Sequence, residues 1–293
     1  MTEENPASLQ IVADLLRART GQQLGAGRMW RISGALAGVF RRHDISNVEQ
    51  LVCLLTQPGG DQLAGEVVEA LLNNETYFFR DKGLFDLLER DILPRLHEKR
   101  RGQRTLRIWS AGCSSGQELY SVAMLLASQR ERWDGWKLEL LGTDISPRIV
   151  ETARAGTFSQ FEVQRGLTVT QMLGCFEQNE RGWQIDESLR RMVSFRQHNL
   201  LEPLATGGPF DLVLCRNVLL YFDPAVRQQV FERLFEAMAH DAYLLLGVGE
   251  TTVGQTQAFT PASGLPGIFQ PALTAPDSSI VEMPAPGRSM LNR

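Results

Sequence analysis

The sequence predicts a doubly wound α/β fold with a small β-containing insertion, preceded by an all-α N-terminal domain. After residue 104, short apolar segments alternate with helical patterns, which is typical of a parallel sheet with helices on both faces. Before residue 80, apolar residues recur at helical spacing and nowhere with period two. The composition is that of a globular protein, since 43% of the 293 residues are hydrophobic and 22% are charged.

The N-terminal region, for which we expect a helical domain over residues 1–80, carries an uneven charge. Its apolar residues repeat at helical spacing over residues 9–16, 29–40, 48–55 and 67–72. Between Leu15 and His43 there are six arginines and no acidic residue. These are Arg17, Arg19, Arg28, Arg31, Arg41 and Arg42. The residues alone leave two interpretations open, a solvated helical face or a docking surface for an acidic partner.

A connecting helix and linker are expected over residues 81–103, with the basic run 99–102 as an exposed junction. The sheet domain is expected over residues 104–270. Its predicted strands are 106–109, 138–141, 193–195, 210–215 and 242–247, with helices starting at 117 and spanning about 224–239. Residues 155–192 form the insertion, with a helical piece at 169–176 and a strand at 182–185. The proline-rich tail 271–293 is expected to be disordered.

Several classes of protein are excluded by composition and spacing. The net charge of −4 excludes a globally basic protein, so no nucleic-acid partner is expected. No apolar run approaches the ~20 residues that cross a bilayer, and the N-terminus lacks the pattern of a signal peptide. The four histidines show no metal-ligand spacing, so no metal is expected. Scattered cysteines favour free thiols in a reducing, cytoplasmic location; they are Cys53, Cys113, Cys175 and Cys215.

Three groups are predicted at the carboxyl edge of the sheet, where open α/β folds bind ligands. A glycine-rich turn, which includes Gly112, lies between the first strand and its helix. Asp144 and Asn199 directly follow the second and third strands and suit a ribose and an adenine edge. The alternatives are a tight turn without a ligand, a helix N-cap for Asp144 and an ordinary loop asparagine. Because the groups share one edge, nucleoside binding is favoured.

Two further segments carry polar residues among aromatic ones. In residues 73–81, Arg80 has a planar guanidinium that suits a carboxylate. In residues 210–222, a nearly continuous apolar strand is followed by Arg216, Asn217 and Tyr221 at its carboxyl end. The alternative for Tyr221 is core packing with its hydroxyl satisfied nearby.

Four segments together resemble the CheR-type chemotaxis receptor glutamate O-methyltransferases. They are residues 74–81 (NETYFFRD), 111–121 (AGCSSGQELYS), 142–145 (GTDI) and 215–222 (CRNVLLYF). The resemblance implies a Rossmann-like, S-adenosylmethionine-dependent methyltransferase domain over residues 104–270, with the insertion as a β-subdomain. It also implies S-adenosylmethionine as methyl donor, S-adenosylhomocysteine as product, and glutamates in the cytoplasmic helical region of chemoreceptors as acceptors. The basic N-terminal helices would then face an acidic receptor surface.

The resemblance also assigns roles to residues of this sequence. Arg80 and Tyr221 are expected to flank the reacting methyl group. The expected cofactor contacts are Asn74, Thr76, Arg80, Gly112, Glu118, Asp144, Asn199, Leu200, Arg216 and Asn217. Two other functions remain open on the sequence alone. One is a methyltransferase of the same fold that acts on a small molecule, and the other is a non-catalytic adaptor that senses the nucleoside.

Overall fold

Four α-helices follow one another in the N-terminal part of the computed structural model, which describes residues 5–205 and 207–272. They are α1 (Pro6–Thr20), α2 (Arg31–His43), α3 (Val48–Leu55) and α4 (Gly60–Leu71). The first helix begins where the Asn5 side chain accepts a hydrogen bond from the Ala7 amide, and it ends at Gly21 in the left-handed conformation. Apolar side chains from these helices form a core of their own. That separate core supports the expected helical domain, whose boundary at residue 80 remains a prediction.

The connecting segment packs on the sheet rather than on the N-terminal helices. It consists of α5 (Lys82–Leu87), a π-helical turn (Leu88–Ile92) and α6 (Leu93–Arg100). Its apolar face is fully buried in the same cluster as the first strand of the sheet. The expectation of an exposed junction at residues 99–102 is wrong for Arg100, whose side chain is only 11% exposed.

The sheet domain alternates strands and helices and makes one long excursion from the sheet. It begins with β1 (Thr105–Ala111), α7 (Gln117–Ser128), β2 (Lys137–Asp144) and α8 (Pro147–Ala155). The excursion contains β3 (Thr157–Phe158), α9 (Gln160–Gln164), α10 (Val169–Cys175), β4 (Phe176–Asn179), β5 (Gly182–Ile185) and α11 (Glu187–Met192). The chain then returns with β6 (Val193–Gln197), β7 (Phe210–Cys215), α12 (Pro224–Glu236), β8 (Met238–Leu246), β9 (Phe259–Pro261) and β10 (Ile268–Pro271).

The strand order explains where a ligand can bind. The large sheet has the order β6-β2-β1-β7-β8-β10-β9, and the excursion forms a small sheet of order β3-β5-β4. From β1 the chain builds outward through β2 to β6, and it then returns to the other side of β1 to place β7. The carboxyl ends of β1 and β7 therefore frame the topological switch point, which is where doubly wound sheets bind ligands.

The structure corrects several details of the predicted elements. The sheet is mixed, because β10 pairs antiparallel with β8 and β9, and these two short strands with prolines near their ends did not resemble strands. Ala239 belongs to β8 rather than to the preceding helix, which ends at Glu236. Phe176 begins β4, so the helix before it ends at Cys175. The predicted tail 271–293 begins too early, because Pro271 belongs to β10 and pairs with Phe259. Residues 273–293 of that tail lie outside the described residues.

Residues 5–205 and 207–272 contain neither a membrane-spanning helix nor a cluster of metal-binding side chains. Among them, no helix combines the length and apolar character required to span a bilayer. Within the same residues, no group of three or more His, Cys, Asp or Glu side chains is arranged to hold a metal ion.

We expect replacement of Arg100 by methionine to lower the free energy of unfolding by about 2–4 kcal/mol. Its guanidinium contacts Asp211 Oδ1 at 2.6 Å and also pairs with Asp241, so its loss leaves the buried Asp211 without an ion-pair partner among the described residues and Asp241 with only Lys99 at 3.7 Å. Arg100 lowers the pKa of Asp241 from 3.8 to about 2. Because that carboxyl pKa is lower in the folded state, its contribution to stability is complete above about pH 4 and disappears as the pH falls towards 2. Urea unfolding at pH 7 and pH 3 measures both effects.

The matched control for this prediction is Arg101→Met. Arg101 carries the same charge one position along the chain, but its ion pair with Glu98 is exposed on both sides. We expect a change of less than about 0.5 kcal/mol for this control. Equal losses for the two variants would show that the Arg100 ion pairs do not stabilise the fold.

Candidate active site

One cavity at the switch point brings the predicted site residues together. It lies at the carboxyl ends of β1, β2 and β7, beneath the segment that follows α1. About 840 Å³ of space, open mouth included, lies between its lining residues. All the predicted catalytic and cofactor residues line it: Asn74, Thr76, Arg80, Gly112, Glu118, Asp144, Asn199, Leu200, Arg216, Asn217 and Tyr221.

The glycine-rich turn after β1 brings backbone against the cavity wall. Gly112 has a φ of +79°, and a Cβ atom there would lie 2.5 Å from Cγ2 of Val218. Its amide and that of Cys113 both donate to the Thr143 carbonyl at 2.8 Å, which ties the turn to the end of β2. Ser114 follows with a φ of +50°, an uncommon value for a residue with a side chain. Such constrained backbone is typical of a turn shaped for a ligand.

Asp144 ends β2 at the wall of the cavity and is 8% exposed. Its two carboxylate oxygens accept hydrogen bonds from the backbone amides of Ser114 at 2.8 Å and Ser146 at 3.1 Å. Burial raises the pKa of this carboxyl above its ordinary value. The N-cap alternative is wrong, because the side chain that caps α8 is that of Ser146, which accepts from the Ile149 amide. The carboxylate therefore joins the turn to the end of β2 and remains in the cavity lining.

Arg216 forms a buried ion-pair network with two carboxylates, and its side chain is only 2% exposed. Its Nη1 donates to Glu118 Oε2 at 2.8 Å and its Nη2 to Asp81 Oδ2 at 2.8 Å. The other oxygen of Glu118 accepts from the Ser110 hydroxyl. Because these residues come from β1, α7, the segment after β7 and the segment before α5, the network joins four parts of the chain around the cavity.

Arg80 and Tyr221 meet in the same lining from distant parts of the chain. Arg80 donates through Nη1 to the Glu75 carbonyl at 3.1 Å. The Tyr221 hydroxyl accepts a hydrogen bond from the Asn73 amide group, which leaves its own proton available for donation. The alternative for Tyr221 is wrong in its core packing, since the side chain is half-buried and lines the cavity, although the hydroxyl does have a nearby partner in Asn73. Arg28 lies 5.7 Å from the centre of the tyrosine ring.

Asn217 has features expected of a group that a ligand completes. Its backbone φ is +59°, and its backbone amide donates a hydrogen bond to Glu250 Oε2 at 2.7 Å. Glu250 also accepts from the Gly247 amide at 2.8 Å, and so it anchors the segment after β7 to the segment after β8. The side-chain oxygen of Asn217 is buried and has no hydrogen-bond partner among the described residues. Such a buried oxygen without a partner, in a cavity whose side chains suit a nucleoside, is what we expect where a small polar cofactor supplies the missing hydrogen bond.

The structure adds lining residues that the motifs did not indicate. Thr20 and Gln22 follow α1 and line the cavity from the side of the N-terminal helices. The backbone of Gln23 donates to the Tyr221 carbonyl at 2.7 Å, which fixes this contact between the two regions. His198 precedes Asn199 in the lining, and burial lowers its pKa. No local pattern marks Thr20 or Gln22, because their role depends on how the N-terminal helices dock.

Comparison with known proteins agrees with the motifs. The family model "CheR methyltransferase, SAM binding domain" matches residues 74–267. Chemotaxis protein methyltransferase 1 of Pseudomonas aeruginosa is 34% identical over 269 residues, 90% of this chain and 97% of that protein. The chemotaxis protein methyltransferase of Vibrio parahaemolyticus is 32% identical over 257 residues, 87% of this chain and 92% of that protein.

Among solved structures, the glycopeptide N-methyltransferase MtfA complexed with S-adenosylmethionine covers 52% of this chain and 51% of its own, with 14% identity and a TM-score of 0.32. The family model and the relatives confirm the expected methyltransferase activity and cofactor, and they do not support the non-catalytic adaptor. The chain therefore belongs to the CheR methyltransferase family and is an S-adenosylmethionine-dependent methyltransferase.

Proposed function

We propose that this enzyme methylates glutamate side chains in the cytoplasmic region of chemoreceptors, forming methyl esters and S-adenosylhomocysteine. The observation that carries the proposal is that Arg80 and Tyr221 line one cavity together with Asp144. The names of the relatives support a role in chemotaxis. A cytoplasmic location is part of the proposal, because the acceptor glutamates lie on that side of the receptor.

The chemistry of the acceptor explains why the site needs no general base. When bound, S-adenosylmethionine supplies a methyl group on a positively charged sulfur. A glutamate carboxyl has an ordinary pKa near ~4.3 and is already ionised at neutral pH. A carboxylate oxygen can therefore form the new bond without first losing a proton. The contribution of the enzyme is then to orient the carboxylate and to keep water away from it.

The residues of the cavity divide this work by their chemistry. The carboxylate of Asp144 suits the ribose hydroxyls, and the side-chain amide of Asn199 suits an adenine edge. Both residues lie near the carboxyl ends of two neighbouring strands, β2 and β6. Arg80 has a guanidinium fork that matches a carboxylate. The hydroxyl of Tyr221 can donate a second hydrogen bond to the same group, because its acceptor side is already used by Asn73.

The proposed receptor contact uses only part of the arginine-rich stretch. Three of its arginines are paired within the protein: Arg17 with Asp223, Arg19 with Asp61 and Arg42 with Glu66. Arg28, Arg31 and Arg41 form no ion pair among the described residues. Arg28 lies against the ring of Tyr221, whereas Arg31 and Arg41 are exposed. We therefore expect an acidic receptor helix to pair with Arg31 and Arg41, the exposed arginines whose charges are not already paired within the protein.

The test is incubation of the purified enzyme with methyl-labelled S-adenosylmethionine and receptor cytoplasmic fragments, followed by alkaline release of methanol. We expect label on the receptor fragment that is released by alkali, as a methyl ester requires. Receptor fragments whose candidate glutamates are replaced by alanine serve as the control and should accept no label. A cell extract added to the same reaction supplies other possible acceptors. Label in its small-molecule fraction, with none on the receptor, would contradict the proposal and favour a small-molecule acceptor.

A further inference from the structure

The excursion between α8 and β6 contacts the segment that carries Arg80. Phe78 is fully buried and packs edge-on against Phe158 at 5.0 Å and Phe176 at 5.5 Å, ring centre to ring centre. A Cβ atom on Gly166 would lie 1.8 Å from the Phe78 carbonyl oxygen, so the loop between α9 and α10 touches this segment directly. The position of the segment therefore depends on the small sheet of the excursion.

Arg165, in that loop, lies beside the same two residues as Arg80, which are Glu75 and Tyr77. Its Nη2 pairs with Glu75 Oε1 at 2.7 Å, and its guanidinium lies 4.2 Å from the centre of the Tyr77 ring. The guanidinium of Arg80 lies 5.6 Å from the same ring and bonds to the carbonyl of Glu75, not to its carboxylate. The pKa of Glu75 is lowered mainly by Arg165 and in part by Arg80, so this carboxylate is ionised at neutral pH and within the influence of both cations.

We propose that Arg165 is a positioning residue for methyl transfer, which occupies the Glu75 carboxylate and thereby keeps Arg80 available to the cavity. Without Arg165, the remaining cation that acts on the Glu75 carboxylate is Arg80, whose Nη1 already donates a hydrogen bond to the Glu75 carbonyl at 3.1 Å. A new ion pair between them would draw the guanidinium of Arg80 away from the acceptor carboxylate. This inference rests on the proposed function, since it concerns the orientation of the acceptor.

Arg165→Ala is expected to lower kcat for receptor methylation about tenfold, because a small displacement of a catalytic group is enough for such a loss. The dissociation constant of S-adenosylhomocysteine, measured by calorimetry, should change less than about twofold. The control is Arg181→Ala, which removes the same charge from an exposed position in the turn between β4 and β5 and should leave kcat unchanged.

The decisive variant is the double replacement Glu75→Gln with Arg165→Ala. A glutamine cannot form an ion pair with Arg80, so kcat should return to within about threefold of the wild type. A purely structural role for Arg165 would leave the double variant as slow as the single one, or slower. Thermal unfolding of each variant shows whether the fold is retained.

The outcomes separate this inference from the proposed function. If the wild type methylates the receptor and Arg165→Ala is as fast, or if the double variant is not rescued, the inference is wrong and the proposed function stands. If the wild type forms no methyl ester on the receptor, the proposed function fails and the inference fails with it.

Discussion

Tyr221→Phe is expected to lower kcat for receptor methylation by up to about 100-fold, the scale on which misplacement of a reacting group by about 1 Å acts. The Asn73 amide already donates to the Tyr221 hydroxyl, so the phenolic proton is free to bind the acceptor carboxylate. Arg80→Ala should lower kcat at least as much, since it removes a charge as well as donors. Steady-state kinetics with a receptor fragment measures both changes.

The same variants should bind the product cofactor almost normally. We expect the dissociation constant of S-adenosylhomocysteine, measured by calorimetry, to rise far less than kcat falls. Tyr243→Phe is the matched control, because it removes a phenol hydroxyl from β8 outside the cavity and should leave both quantities unchanged. Equal losses in turnover and binding would show that Arg80 and Tyr221 hold the cofactor rather than the acceptor.

Asp144→Asn is expected to weaken binding of S-adenosylhomocysteine about 10- to 100-fold, which corresponds to one or two hydrogen bonds to a charged acceptor. The amide keeps the size of the side chain, but its nitrogen cannot accept from the Ser114 or Ser146 amide as the second carboxylate oxygen does. Calorimetric titration measures the change. Burial raises the pKa of Asp144, so this carboxylate takes up a proton at a higher pH than an ordinary aspartate does. On acidification, the affinity of the wild type for the product cofactor should therefore begin to fall at that higher pH.

The control for this variant is Asp134→Asn, an exposed position outside the cavity that carries the same charge. Its affinity for the product cofactor should equal that of the wild type. The melting temperature of each free protein separates loss of binding from loss of the turn that Asp144 supports. An Asp144→Asn protein that is folded and binds with wild-type affinity would show that this carboxylate does not hold the ribose.

The site residues could be predicted because their positions follow from local order along the chain. Gly112, Asp144 and Asn217 each lie at or just after the carboxyl end of a strand, and parallel strands bring these ends to one edge of the sheet. The strand at residues 210–215 is apolar at every position except Asp211, and it is found with those bounds as β7. The resemblance supplied the roles, which strand order alone does not give.

What could not be predicted depends on packing between distant segments. The pairing of Arg216 with both Glu118 and Asp81 joins residues about 100 or more positions apart, and nothing near Arg216 in the chain indicates its partners. Gln22 reaches the cavity only because the N-terminal helices dock beside Tyr221. The sequence does not predict β9 and β10, because both strands are short. They are stabilised by the pairing of β10 with β8 and of β9 with β10 rather than by a pattern of their own.

The most direct test of the account is a crystal structure of the protein grown with S-adenosylhomocysteine. The account predicts the ligand in the cavity at the carboxyl ends of β1, β2 and β7, with its ribose on the Asp144 carboxylate and its sulfur facing Arg80 and Tyr221. A ligand bound at another surface, or bound in this cavity with its sulfur turned away from both side chains, would contradict it.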